Sequence, residues 1–129
     1  MKFRKMMGVT AAFLCAALAL SGCGSTDETA YRIGIVQQDE HSSLDAATQG
    51  FEDKLMELLG EENVTFDYQN AQGEQANSTT IATKFVSDGC DLILANGTTA
   101  LQSAAAATAD IPIVGTSVTD YIAAGAVNS

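Results

Sequence analysis

The stretch Tyr31–Leu59, reading YRIGIVQQDEHSSLDAATQGFEDKLMELL, changes its hydrophobic period partway along, and that change restricts the fold more than any other feature of the chain. Ile33, Gly34, Ile35 and Val36 form a short apolar run that stops in a polar loop, Gln37 to Ser43. Leu44, Ala47, Phe51, Leu55 and Leu59 then fall at steps of three and four, the spacing of one helix face. Strand, loop and helix in this order make the repeating unit of a parallel α/β sheet. Small ligands bind beyond the carboxyl ends of the strands in such sheets, so the loop QQDEHSS is the first place to seek a site.

The unit recurs. Gly60 to Asn63 closes the first helix, and Val64 to Tyr68 alternates like a strand with one covered face. After the loop NAQGEQAN, helical spacing returns with Asn77, Ile81 and Phe85 and ends at Asp88-Gly89. Leu92 to Ala95 is too short for a helix and too continuously apolar for an exposed strand, which places it in the sheet centre. Asn96 to Thr98 leads into an alanine-rich helix for which Thr99 and Gln102 are expected to form a capping box. Pro112 separates that helix from a strand over Ile111 to Gly115. Four strands and three crossover helices result, with right-handed crossovers expected. A fourth helix is just starting in the tail from Tyr121 to Ser129, and the chain is read as cut there.

The first 22 residues have a basic start, an apolar run from Met6 to Leu20, and small residues ahead of Cys23. The run is shorter than the roughly 20 residues a membrane-spanning helix needs, so it reads as an export signal. Leu20-Ser21-Gly22-Cys23 looks like the lipobox of bacterial lipoproteins: small side chains let the backbone enter a peptidase cleft, and the Cys23 thiol takes the lipid. Residues 23–30 follow as lipidated cysteine and tether, of which the six residues Gly24 to Thr29 reach roughly 20 Å when extended, and residues 31–129 as one α/β unit. Cys15 lies in the leader, which leaves Cys90 unpartnered and read as a small buried residue.

All sixteen acidic residues follow Cys23, against three basic ones, Arg32, Lys54 and Lys84. A polyanion needs a basic face from which counterions are released, so nucleic acid is excluded as a partner. The scattered acids read as solubility.

Three polar loops, Gln37 to Ser43, Asn96 to Thr99 and Thr116 to Asp120, follow strands one, three and four, and parallel strands bring them to one edge. Their hydroxyls, amides and single carboxylates suit hydrogen bonding to a small polar ligand and offer no evident nucleophile and base. His41 beside Glu40 is read as a solvated or ligand-contacting imidazole rather than as a metal or acid–base pair, because the chain has one histidine and no second ligand at metal spacing. No metal and no cofactor is expected. Ser42 and Asp45 read as a helix N-cap pair. Thr98 and Thr99 at a helix start either hold a ligand carboxylate or only cap the helix. Asp120 either pairs with a ligand ammonium or caps the next helix. Neither a GxxxxGK loop nor a GxGxxG motif occurs, so nucleotide binding lacks support.

The segments RIGIVQQDEHSSLDAATQGF, VTFDYQNAQGEQANSTTIATKFVSDGCDLILANGTTA and IPIVGTSVTD carry a resemblance. From Tyr31 to Ser129 the chain resembles the substrate-binding lipoproteins of ABC importers, in the group with tryptophan- and tyrosine-binding members. The resemblance implies a doubly wound parallel sheet forming the first lobe of a type I periplasmic-binding-protein-like fold, in which two lobes close on a solute by a hinge. It further implies an aromatic amino acid as solute, an ABC permease and ATPase as partners, and no catalysis. By position, the cleft-facing residues are Glu40 and His41, Asn96, Thr98 and Thr99, and Thr119 with Asp120. One departure is Tyr121, where the family pattern leads one to expect proline. Two other readings stand beside this one: an exported α/β hydrolase using His41 and a carboxylate, and a sensor lobe that signals to a membrane partner.

Overall fold

The computed structural model describes residues 30–126, so the export signal, Cys23 and the tether up to residue 29 lie outside the described residues. Strands β1 (Tyr31–Gln37), β2 (Val64–Asn70), β3 (Leu92–Asn96) and β4 (Ile113–Thr116) alternate with helices α1 (Ser42–Leu59), α2 (Gln75–Ser87) and α3 (Thr98–Ala107). All pairings are parallel and the strand order is β2-β1-β3-β4. The chain winds outward from β1 to β2, then returns past β1 to β3 and β4. The direction of winding therefore reverses between β1 and β3.

Alternation along the strands sorts side chains into two cores. Ile33 and Ile35 of β1, Val64 of β2 and Leu94 of β3 are buried with Phe51, Leu55 and Met56 of α1 packed on them. Val36, Ile93 and Ala95 point to the opposite face and pack with Phe85 of α2 and with Ala100, Leu101 and Ala104 of α3. Helices on opposite faces for opposite winding directions are what crossovers of one hand require. The alanines of α3 keep that helix thin enough to sit beside α2. Gly34 serves the same face: a Cβ there would stand 2.6 Å from the Phe85 ring, so the bare backbone is what admits the phenyl group.

Several boundaries move from the sequence-based expectation. β2 runs on to Asn70 and α2 begins at Gln75, so the second loop is shorter than NAQGEQAN. β4 begins at Ile113, after Pro112, because a residue without an N–H cannot donate to the ladder, although the Pro112 carbonyl still accepts from Ile93 N–H at 3.0 Å. Where a fourth helix is expected to start, the described part of the tail, to Ala126, closes a single turn, with Ala124 N–H donating to the Asp120 carbonyl at 3.0 Å. Cys90 is buried as expected, and burial pushes its thiol pKa up, with Asp88 adding to the effect.

On the edge strand β2, Lys84 reaches across from α2 to Asp67 at 2.6 Å and also pairs with Asp88 at 2.7 Å. The Lys84 hydrogen bond holds the Asp67 carboxyl below its ordinary value. A lowered carboxylate pKa contributes stability above the unfolded value and loses it as pH falls through the folded one, so this tie is intact at neutral pH.

Candidate functional site

The carboxyl ends of β1, β3 and β4 open onto one rim, and the backbone stitches their loops together. Gln38 N–H donates to the Asn96 carbonyl at 2.9 Å, Gly97 N–H to the Thr116 carbonyl at 2.9 Å, and Gly73 N–H to the Gln38 carbonyl at 2.8 Å. The three polar loops and the β2 loop thus form one connected edge. The crevice between β1 and β3, where the winding reverses, lies at its middle, the place where open α/β sheets bind ligands.

The α1 entrance is capped by His41, whose Nδ1 accepts from Ser43 N–H at 3.1 Å. The expected Ser42–Asp45 cap pair does not form, because the helix starts at Ser42 and the residue before it supplies the acceptor. Asp45 turns to Gln37 instead, its Oδ1 accepting from Gln37 Nε2 at 2.7 Å. His41 and Glu40 are both exposed on the rim. With Nδ1 taken by a backbone N–H, the imidazole has Nε2 alone to offer a ligand.

The α3 entrance also departs from expectation. No side chain of α3 caps it, and Thr99 and Gln102 make no capping box. Gly97 stands before the helix at φ 120°, a conformation open to glycine and strained for other residues. The first-turn N–H of Thr99 is met from across the crevice by Gln38 Oε1 at 2.9 Å. Thr98 and Thr99 are half-buried, and Thr98 Oγ1 lies 3.5 Å from Thr119 N, at the long limit of a hydrogen bond. Thr119 and Asp120 are exposed beside them. Asp120 Oδ1 accepts from the N–H groups of Ile122 and Ala123 at 2.9 and 3.0 Å, which orients the carboxylate. Tyr121, in the place where proline was expected, folds back so that its hydroxyl donates to the Gly115 carbonyl at 2.9 Å. That bond pins the β4 loop.

Asn96 alone of the predicted site residues is fully buried, and its side chain points under α1. Asn96 Nδ2 donates to the Leu44 carbonyl at 2.8 Å and to Thr48 Oγ1 at 3.0 Å, and the Thr48 hydroxyl passes its own proton to Gln37 Oε1 at 2.7 Å. Gln37 Nε2 completes the chain on the Asp39 carbonyl at 2.8 Å. This network clamps the start of α1 to the ends of β1 and β3, so Asn96 holds the rim from beneath. Asn96 Oδ1 has no partner among the described residues.

Sequence reasoning did not single out Gln38, Thr48 or the role of Gln37. Gln37 carried a usable signal: Ile33, Ile35 and Gln37 share one strand face by period two, and a polar residue on a covered face needs a partner. Beside the rim, a cavity of about 220 Å³ lies between α1 and β2, lined by Gln37, Asp45, Thr48, Gln49, Glu52 and Tyr68. Burial, with Asp53 adding to it, raises the Glu52 carboxyl pKa there. The cavity falls short of the ~300 Å³ that small-molecule sites usually start from, and it lies off the β1–β3 crevice, so the rim is the better candidate. No group of three or more His, Cys, Asp or Glu side chains fit to hold a metal ion occurs among the described residues.

A parallel, doubly wound sheet with hydrogen-bonding loops gathered at its carboxyl edge defines a ligand-binding α/β lobe. The chain belongs to the ABC transporter substrate-binding protein family, whose sequence model matches residues 32–129. It is 39% identical to a tyrosine-binding protein of Clostridioides difficile (strain R20291), over 99% of this chain and 41% of that protein. Among solved structures it is similar to the ligand-free, open form of a substrate-binding protein with adhesive properties from Clostridium difficile (TM-score 0.74, 44% identity, 77% of this chain and 34% of that one). It is also similar to a conserved domain protein from Vibrio cholerae (TM-score 0.75, 38% identity, 79% and 35%). A third, solved in complex with L-Trp, is from Streptococcus pneumonia (TM-score 0.73, 34% identity, 78% and 34%). The chain thus spans less than half the length of these relatives.

Proposed function

We propose that the chain is the amino-terminal lobe of a solute-binding lipoprotein that captures an aromatic amino acid and delivers it to an ABC permease driven by its ATPase. The observation that carries the reading is the rim itself. Half-buried hydroxyls at Thr98 and Thr99 beside the α3 N-terminus suit the carboxylate end of such a solute. The exposed carboxylates of Glu40 and Asp120 suit its ammonium end. The relative named for tyrosine and the neighbour solved with L-Trp support an aromatic side chain between them. In this reading the second wall of the cleft comes from a further lobe, and capture is a closing of one lobe on the other without covalent chemistry.

Calorimetric titration of the full-length binding protein with L-tyrosine and L-tryptophan tests the solute. Saturable heat with at least one of them is expected, and no heat from either removes the aromatic assignment. The 129-residue chain alone, with one wall of the cleft, is expected to bind at least about 100-fold more weakly, in line with the loss of several buried contacts.

The same reading makes the protein exported and lipid-anchored, with Cys23 at the membrane surface facing the outside or the periplasm and carrying the lipid on its thiol. Growth with a labelled fatty acid is expected to mark the parent and to leave Cys23→Ala unmarked. Equal labelling of the two would rule the anchor out.

A further inference from the structure

Gln38 stands at the centre of the crevice, and its side chain is already fixed there. Its backbone bonds to β3 and to the β2 loop, and its Oε1 accepts from Thr99 N–H at 2.9 Å. Gly97 lies against it: a Cβ at that position would fall 2.5 Å from both Gln38 Cβ and Oε1. A side chain at residue 97 would therefore displace the amide from the α3 entrance. Because a backbone N–H can only donate, the amide atom facing Thr99 is the oxygen. The planar amide then holds its NH₂ group away from that bond. Gln38 is half-buried, and no acceptor meets its Nε2 among the described residues.

We infer that Gln38 contacts the solute and sets its specificity, its side-chain NH₂ donating to the solute carboxylate; this rests on the amino-acid-binding reading above. The Thr99 N–H that would otherwise meet an anion is occupied, so at that point of the entrance to the ten-residue helix α3 a carboxylate beside the Thr98 and Thr99 hydroxyls is offered the Gln38 amide in its place. Accepting a bond from the positive end of a helix polarises the amide and strengthens its own N–H as a donor. Gln38 thereby carries the helix's preference for negative charge outward into the crevice. The exposed acids of the rim, Asp39 and Glu40 farther along the same loop and Asp120 on the β4 loop, complement the other end of a zwitterion.

The test compares the full-length binding protein with its Gln38→Glu and Gln38→Leu variants by calorimetry. The probes are L-tyrosine against tyramine and L-tryptophan against tryptamine, pairs that differ in the carboxylate. Glutamate keeps the shape and the acceptor for Thr99 N–H but replaces the NH₂ with an anionic oxygen. Gln38→Glu is expected to weaken the amino acids at least about 30-fold, the size of a lost charge-assisted hydrogen bond, and to leave the amines as tight or tighter. Gln38→Leu is expected to lose amino-acid affinity without gaining for amines. The readout is a ratio on one variant, so partial unfolding scales both ligands alike and does not imitate it. An unchanged ratio in Gln38→Glu overturns the role of Gln38 while the amino-acid reading stands. A parent protein that binds neither amino acid overturns both.

Discussion

Gly34→Ala is expected to destabilise the lobe by about 2–3 kcal/mol, the upper part of the usual range for overpacking a core. The new methyl group would stand 2.6 Å from two ring carbons of Phe85 and 2.9 Å from a third, against the 3.5–4.0 Å at which carbon atoms attract. Phe85 is fully buried among Val36, Ile93, Ala95 and the α3 alanines, so the ring has no free volume to enter. Relief must come from opening the α2–sheet contact. For a domain near 100 residues this corresponds to a fall in melting temperature of at least about 10 °C. Pairing Gly34→Ala with Phe85→Leu is expected to recover part of the loss, because the two substitutions share one space and their effects do not add. Urea denaturation of the two single variants and the double variant measures this. An unchanged midpoint for Gly34→Ala, or strict additivity in the double variant, would show that the ring is not held as described.

A second large effect is expected at Asn96. Asn96→Leu removes two donors at once and takes from the Leu44 carbonyl and the buried Thr48 hydroxyl the partner that each has in Asn96 Nδ2. Stranding buried acceptors costs about 1–3 kcal/mol each, so a loss near 3 kcal/mol is expected, with the start of α1 loosening first. Hydrogen exchange should show it as faster exchange at residues 44–49. Asn96→Asp adds a pH dependence, since its carboxyl keeps one O–H donor while protonated and, once ionised, loses both donors and buries a charge. Burial raises a carboxyl pKa, so the folded form of this variant holds its proton more tightly than the unfolded form. Its deficit relative to the parent should therefore be small at pH below the ordinary aspartate value and grow as pH rises through it. A deficit that shrinks with rising pH would contradict the buried placement.

Hydrophobic period alone marked the helix–strand order, because each element has one covered face and the covered face sets the spacing. Ile33 and Ile35 against Leu44, Phe51 and Leu55 made the first unit readable, and Leu92 to Ala95 announced the central strand by having polar residues on neither face. What stayed hidden were the partners supplied from a distance. Thr99 and Gln102 have the spacing of a local cap, yet the acceptor for Thr99 N–H comes from Gln38, 61 residues earlier. No window along the chain contains that bond. Asn96 was marked as a rim residue by its place at a strand end, but pleat direction decides whether such a residue faces the crevice or the helix layer, and here it faces α1. His41 displaced Ser42 as the cap because the helix begins one residue earlier than the serine pattern suggests.

The loops of the rim are joined to one another through main-chain atoms, Gln38 to Asn96, Gly97 to Thr116 and Gly73 to Gln38. Main-chain bonds are indifferent to which side chain a residue bears. Positions such as 39, 40, 98 and 119 can therefore exchange one side chain for another while the frame beneath them stays put. Substitution at the mouth of the rim and retention of its main-chain scaffold are thereby separable.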